Sequence, residues 1–399
     1  MSATTVVDLF WGDNGKGKIV DYLSTPDVVR NYKHVVRFAG GQNAGHTLYR
    51  NDKKYVCNMI PCGLLNEGVK LYIGAGCVVD IRRLISEIEE VESTLGRKID
   101  LSISNKVHVV TALDHEVEAV REKLMGIGTT KKGIGPCYAS KANRNGLRLE
   151  ACASIEQVMS NLQHQDGANY VSAVELQEIA RNIVLKYNKL ASLVNISDVE
   201  QTIRDLLRSG EDVLFEGAQG TFLDIGHGDY PYCTSSHTIS SAAATYCGFP
   251  AREIQTVIGV LKPYITRVGN GPVPHELEGE LAQEIRELGG EYGAVTGRPR
   301  RIAWLDLGML AKACQINGVT HLAITKMDIA GKMPLVVKDA NGAEFRFNGW
   351  DSIDHPEAVR FVQLLQQTVE QASGATIGLL GIGPNTTDIV APNEQFMSR

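Results

Sequence analysis

Residues Gly12-Asp13-Asn14-Gly15-Lys16-Gly17-Lys18 follow the apolar stretch Val6-Val7-Asp8-Leu9-Phe10-Trp11 and nearly complete a P-loop. Such a loop needs glycines so that backbone N–H groups can close on phosphate oxygens, a lysine for the terminal phosphates, and a Ser or Thr hydroxyl for Mg²⁺. Gly12, Gly17 and Lys18 fit, but Ile19 stands where the hydroxyl belongs. The hard oxygen ligand inside the loop is Asp13, which can touch a magnesium ion or the reacting group. Ordinary strand-to-helix turns use the same residue types, so on this loop alone phosphate binding and a plain turn are both open.

A second glycine loop, Gly40-Gly41-Gln42-Asn43-Ala44-Gly45-His46-Thr47, ends in a histidine, a natural proton donor near neutral pH. Gly126 to Pro136 mixes glycines with Thr129, Thr130, Lys131 and Lys132 and leads to Lys141, Arg144 and Arg148, a composition that suits anions or a solvated surface loop. Glu216 to Thr221 presents the Gln219 amide where a base or sugar can be read. Tyr230 to Ser236 places hydroxyls ahead of a small-residue helix, whose N-terminus can take a phosphate. Gly293 to Arg301 packs Arg298, Arg300 and Arg301 into four positions, a crowding that repels itself unless an anion is shared. Thr325-Lys326-Met327-Asp328 offers a carboxylate for the ring N–H and exocyclic amine of guanine, with a lysine stem over the base. Coupled to a P-loop variant on an earlier strand, this tetrapeptide reads as a guanine-nucleotide signature.

The elements that must hold these loops alternate. Val35 to Phe38, Leu71 to Ile73, Val213 to Phe215, Thr256 to Leu261, His321 to Ile324 and Thr376 to Leu380 read as buried strands. Between them the helical period predicts Ile81 to Leu95 capped by Asp80, Asp198 to Leu207 opened by a Ser197/Glu200 capping box, and Glu357 to Ala372 opened by His355-Pro356. The alternation predicts an α/β fold with a mostly parallel sheet flanked by helices, which binds ligands beyond the carboxyl ends of its strands. Residues 1–399 are expected to form one domain, with a wholly helical insertion at about 154–209.

Composition narrows the class. The 399 residues are 43% hydrophobic and 22% charged, and the formal net charge of −6 argues against a broad nucleic-acid surface. Eight cysteines lie without CxxC pairs or metal-ligand spacing and read as reduced thiols. No apolar run reaches a membrane span, and no basic-then-apolar leader opens the chain, so a cytoplasmic protein is expected.

The ordered series Trp11 to Lys18, Gly40 to Thr47, Gly128 to Pro136, Phe215 to Leu223, Tyr230 to Ser236, Thr296 to Arg301, Thr325 to Asp328 and Gly383-Pro384 resembles the adenylosuccinate synthetase family over nearly the whole chain. That resemblance implies a P-loop NTPase-like fold and a GTP-dependent ligase that joins IMP and L-aspartate through a 6-phosphoryl intermediate, with one Mg²⁺ per subunit. It makes Asp13 the base at N1 and a metal ligand, with the Gly45 carbonyl also on the metal. His46 and Gln219 complete the catalytic group. Asn43, Thr130, Gln219, Thr234 and Arg298 correspond to IMP contacts, and Arg144 to an arginine lent across a homodimer interface. Lys54, Thr296 and Arg298 correspond to aspartate contacts. Gly12, Gly15, Lys16, Gly17, Lys18, Gly45, Thr47, Arg300, Lys326, Asp328, Gly383 and Pro384 correspond to GTP contacts.

Several positions depart from the family pattern. Asn14 stands for a glutamate, Phe10 for a glutamine, Asn58 for a histidine, Val295 for a threonine facing aspartate, and Gly381 for a hydroxyl residue; Phe347 to Val359 is shortened. These departures suggest a paralogue, such as a phage-type enzyme that uses dGMP and aspartate to make a 2-aminoadenylosuccinate nucleotide. Such phage enzymes carry a smaller residue in place of the catalytic aspartate, so Asp13 favours IMP. Val295 motivates a different amine donor. A GTP-binding regulator without ligase activity is the rival of another class, and it has no need of Asp13, His46, Arg144 and Arg298 together.

Overall fold

Val6 and Val7 show how the fold is layered. Successive strand residues face opposite sides, and here both sides are covered: Val6 belongs to the apolar cluster that holds Ile19, Val20 and Leu23, and Val7 to the one that holds Trp304, Leu310 and Leu322. Their strand, Ala3–Asp8, is buried along its whole length, as a central parallel strand must be. The computed structural model describes residues 3–392 apart from 27, 29–30, 127 and 294–296.

The main sheet has ten strands, in the order Ile389–Val390, Thr376–Gly381, His321–Ile324, Ile254–Leu261, Ala3–Asp8, Val213–Glu216, His34–Arg37, Lys70–Ile73, Asp100–Ser104 and Asn195–Ser197. Its pairings are parallel, apart from the antiparallel edge pair Thr376–Gly381 with Ile389–Val390. The α/β class is as expected, and each predicted strand is present to within two residues. A second sheet of short strands, Tyr264–Arg267, Arg301–Asp306, Leu335–Lys338 and Glu344–Phe347 with Glu276–Leu277 at its side, was not anticipated. Glu344–Phe347 is mostly exposed and too short to show a period.

Local signals explain the helices. Asp80 accepts from the Arg83 N–H at 3.1 Å, Ile81, Leu84, Ile88 and Val91 turn to the core, and Gly96 ends the helix Ile81–Leu95 at φ 67°. The helix Pro356–Ser373 begins after His355 as expected. Two expectations are corrected. Ser197 and Glu200 form no capping box: Asp198 caps the helix Val199–Ser209 through the Gln201 N–H at 2.9 Å, and Glu200 is buried, accepting from Ala75 N and Ser104 Oγ. The segment at about 154–209 is also not wholly helical, because Asn195–Ser197 pairs with Asp100–Ser104 as the sheet's edge strand. Three residues flanked by helices carry too little β pattern to be read.

Asp21, on the helix Lys16–Leu23, braces the glycine-loop side of the fold. Its carboxylate accepts from Arg50 Nη2, Asn66 Nδ2 and Thr386 Oγ1 at 3.0, 2.9 and 2.6 Å. Burial outweighs these partners and pushes its pKa up to about 6. Between the unfolded value near 4 and this value, only the folded state holds the proton, so Asp21 adds stability as pH falls through that window. The Tm difference between wild type and Asp21→Asn should therefore widen in favour of wild type from pH 7.5 to pH 4.5. A gap that does not move with pH would contradict this placement of the proton.

Candidate active site

The strands His34–Arg37 and Val213–Glu216 run side by side in register, so Arg37 and Glu216 reach the same edge of the sheet, next to Asp8 and to Lys262 and Thr325 just past their own strands. Beyond this edge lies a cavity of about 830 Å³. Gly12, Asp13, Gly15, Lys16, Gly17, Lys18, Asn43, Gly45, His46, Thr47, Lys54, Thr130, Gln219, Thr234, Arg300, Lys326, Asp328, Gly383 and Pro384 all line it. Residues spread from 12 to 384 thus meet in one space, as ligands do at the carboxyl ends of parallel strands.

The glycine loop is built on left-handed backbone: Gly12, Asp13 and Gly15 have φ of 91°, 61° and 93°. Aspartate tolerates this region better than most side chains, so Asp13 can hold a turn that presents its carboxylate. The helix Lys16–Leu23 then starts without a side-chain cap, leaving its N-terminus to an anion. Lys16 Nζ donates to the Gln219 carbonyl at 2.6 Å and reaches Asp8 Oδ2 at 3.3 Å.

Lys18 lines the cavity, and its Nζ donates to the carbonyls of Gly383 and Asp388 at 2.6 and 2.9 Å, which fastens the Gly383-Pro384 turn. Burial lowers its pKa to about 8, opposed by Asp388 and Asp328.

His46 sits on a buried acid that the sequence reading did not single out as a partner. Glu216 accepts from His46 Nδ1, from Arg37 Nη1 at 2.9 Å and from the Cys62 N–H at 2.8 Å. Burial and Arg37 lower the His46 pKa to about 4 against the pull of Glu216, so the ring is neutral at pH 7. Burial would raise Glu216, but His46 and Arg37 prevail and hold it at about 2. His46, Cys62 and Glu216 bring ligating atoms within 4.8 Å of one another, as a metal site would. The Arg37 guanidinium on the same carboxylate already supplies the positive charge, so the cluster reads as a device that orients the histidine.

A second buried acid organises the opposite wall. Glu291 accepts from Lys262 Nζ at 2.9 Å, Tyr264 OH at 2.6 Å, Arg300 Nη1 at 2.5 Å and Lys326 Nζ at 2.7 Å. Burial favours its neutral form, yet Lys262, Lys326 and Arg300 hold its pKa well below the usual range. Arg300 also reaches Asp13 Oδ2 at 3.2 Å, which ties Lys326 and the loop aspartate to one anchor. Arg301 pairs instead with Glu276. The crowded arginines are thus relieved in part by internal acids, and only Arg300 among them faces the cavity.

Gln219 adopts φ 51°, and both polar atoms of its side chain are buried without a hydrogen-bond partner among the described residues. An amide held so at a cavity wall is placed for a ligand, because leaving it unpaired costs about 1–3 kcal/mol. Arg144 and Arg298 are exposed and do not line the cavity. Arg144 ends the helix Ile134–Asn143 in a left-handed turn at φ 65°. Thr296 lies outside the described residues, as does Val295. Tyr230 to Ser236 brings Thr234 to the cavity, but the helix beyond it starts only at Ala242 and spans six residues.

Comparison with known proteins agrees with this geometry. The family model described as adenylosuccinate synthetase matches residues 5–374. The adenylosuccinate synthetase of Thermodesulfovibrio yellowstonii is 44% identical over 82% of this chain and 78% of its own. That of Acetivibrio thermocellus is 37% identical over 98% of this chain and 100% of its own. Among solved structures, the fully ligated adenylosuccinate synthetase of Plasmodium falciparum superposes with a TM-score of 0.85 at 31% identity, covering 98% of this chain and 100% of that one. Cyanophage S-2L succinoaminodeoxyadenylate synthetase, bound to dGMP and to dATP as an energy donor, shares the fold with a TM-score of 0.67 at 24% identity, over 98% of this chain and 95% of that one. With its glycine loop, His46, Gln219 and Asp328 gathered at one cavity, and with near-complete coverage in sequence and structure, this chain belongs to the adenylosuccinate synthetase family.

Proposed function

We propose that this protein joins IMP and L-aspartate at the expense of GTP, forming adenylosuccinate, GDP and phosphate. The observation that carries the reading is the single cavity shared by the Asp13 loop, the unpaired Gln219 amide and the Lys326/Asp328 turn. A purine 6-oxygen leaves poorly, so it must be phosphorylated first. Asp13 takes the N1 proton, the ring electrons move to O6, and O6 attacks the γ-phosphorus while GDP leaves. The aspartate amine then adds at C6 and phosphate departs with the former 6-oxygen. His46, its Nδ1–H held by Glu216, donates from Nε2 to the phosphates as the imidazolium, the form that the negative charge of a bound triphosphate favours. Catalysis is thus positioning and charge stabilisation, as is usual in phosphoryl transfer.

Asn43, Thr130, Thr234 and Gln219 are assigned to IMP, Lys54, Thr296 and Arg298 to aspartate, and the loop residues with Thr47, Arg300, Lys326, Asp328, Gly383 and Pro384 to GTP. Lys18 acts there through the Gly383 turn. The Asp13 carboxylate and Gly45, which both line the cavity, suit Mg²⁺, which takes few protein oxygens and shares substrate phosphates. When bound, the ion neutralises charge building on the transferred phosphoryl group. Asp328 is assigned to guanine: Asp328→Asn should cut the preference for GTP over ITP by roughly 10–100-fold, the worth of one buried polar pairing. Unchanged relative kcat/KM values would remove Asp328 from base reading.

Arg144, exposed and outside its own cavity, is assigned to the site of a second copy in a homodimer. Mixing inactive Arg144→Ala and Asp13→Ala proteins should restore up to about a quarter of the activity, as for any randomly paired dimer with one intact shared site. No recovery would sink the shared site. The chain is read as one unit across residues 1–399, working in the cytoplasm. Its eight cysteines are free, and among the described residues no helix is long and apolar enough to cross a membrane. The assay for the whole reading crosses acceptors with amine donors: IMP with aspartate should be the best pair, and dGMP in place of IMP would overturn the acceptor.

A further inference from the structure

Asp8 has no part in the mechanism above, yet it is 1% exposed at the end of the central strand and lies beneath the reacting loop. Its Oδ1 accepts from the N–H of Phe10 and Gly12 at 3.0 and 3.1 Å and from the Asn14 side-chain amide at 2.8 Å. Its Oδ2 accepts from the Asn14 N–H at 3.1 Å and Lys16 Nζ at 3.3 Å. The residues gripped, 12 and 14, are those on either side of Asp13. Asn14 is itself 2% exposed, and its carbonyl accepts from Thr325 Oγ1 at 2.8 Å, next to the base-reading turn. Lys16 links the same carboxylate to the Gln219 carbonyl, and Thr221 Oγ1 donates to the Asp8 carbonyl at 2.7 Å.

We propose that Asp8 is the positioning residue of the reacting loop, fixing from below the direction in which Asp13 presents its carboxylate, and that Asn14 must be an amide because it faces Asp8. In a phosphate loop the N–H groups point at the ligand. Here Asp8 turns those of Gly12 and Asn14 inward, away from it. Phosphate is left to the remaining amides at the start of the helix Lys16–Leu23 and to Lys16. The inward grip also holds Asp13 in its left-handed turn, a conformation that needs support from its surroundings. The amide at 14 follows from charge: a carboxylate there would meet another buried carboxylate at hydrogen-bond distance, and two such groups cannot both stay ionised. The proposal rests on the reading of Asp13 as the base.

The test is a charge swap across the pair, using Asp8→Asn, Asn14→Asp and the double variant. Thermal unfolding of the four proteins reads the contact itself. Turnover with IMP, GTP and aspartate reads positioning. Asn14→Asp should lower kcat by roughly 100-fold and raise the Mg²⁺ concentration needed for half activity, with KM for aspartate within about twofold, since the damage falls on one face of the loop. The swap should regain at least about tenfold of that kcat and most of the lost Tm, because one acid again meets one amide. Additive losses, or an Asn14→Asp enzyme that equals wild type, would overturn the proposal. If Asn14→Asp does not fold, a folded and active swap supports it, and an unfolded swap beside a folded Asp8→Asn overturns it. Should the wild type not turn over these substrates, the functional reading fails, and the unfolding cycle still decides whether positions 8 and 14 are coupled.

Discussion

Asp13→Asn should lower kcat by roughly 10⁴-fold while leaving GTP affinity within a few-fold, the loss expected when a general base is neutralised without changing shape. The side chain stays about one-third exposed, at 32%, in a loop otherwise tied down, so the substitution does little to the fold. Arg300, 3.2 Å away, can still donate to the amide oxygen, so the wall of the cavity keeps its form. Steady-state kinetics paired with calorimetric GTP titration separates the two effects. Activity retained to within tenfold would remove Asp13 from the proton transfer.

Glu291→Gln should be nearly as damaging, by a different route. The carboxylate is fully buried and shared by Lys262, Arg300 and Lys326. Lys262 is itself fully buried, and burial already lowers its pKa to about 7 in spite of Glu291. Removing the negative charge strands several cations in a poorly solvated wall, and breaking a buried pair in this way typically costs about 3–5 kcal/mol. The variant should unfold at lower temperature and lose at least about 100-fold in kcat/KM for GTP, because Arg300 and Lys326 lose their common anchor. Glu291→Leu combined with Lys262→Met should regain part of the stability but not the GTP affinity, since an apolar pair fills the space without holding Arg300 or Lys326. A Glu291→Gln protein with wild-type Tm and KM would show that the convergence of cations has no energetic role.

What the sequence made legible follows from how far each signal extends. Glycine loops, the Lys326/Asp328 turn and the buried strands are local patterns, and the cavity is lined by most of the residues they named. Glu216 and Glu291 escaped as organising residues because each acquires meaning from partners elsewhere in the chain, whereas Asp8 grips residues 10 to 16 of its own loop and escaped because strand alternation alone does not show which way its carboxylate turns. Glu216 meets His46 across 170 positions, and Glu291 meets Lys262 across 29. The ties of Lys18 were out of reach of spacing for the same reason: its acceptors, the carbonyls of Gly383 and Asp388, lie 365 and 370 residues away. Asn14 fitted neither the chemistry nor the family while its neighbour across the loop was unknown, and its contact with Asp8 supplies the physical reason. The second sheet and the edge strand Asn195–Ser197 were missed because runs of two to six residues hold too few repeats of a period to be seen.

Following the oxygen at C6 tests the mechanism most directly. With IMP carrying ¹⁸O at that position, the phosphate released in each turnover should contain the label, since O6 is the atom that attacks GTP and then leaves with the phosphoryl group. Label recovered in water, with unlabelled phosphate beside the same adenylosuccinate product, would contradict a phosphorylated intermediate.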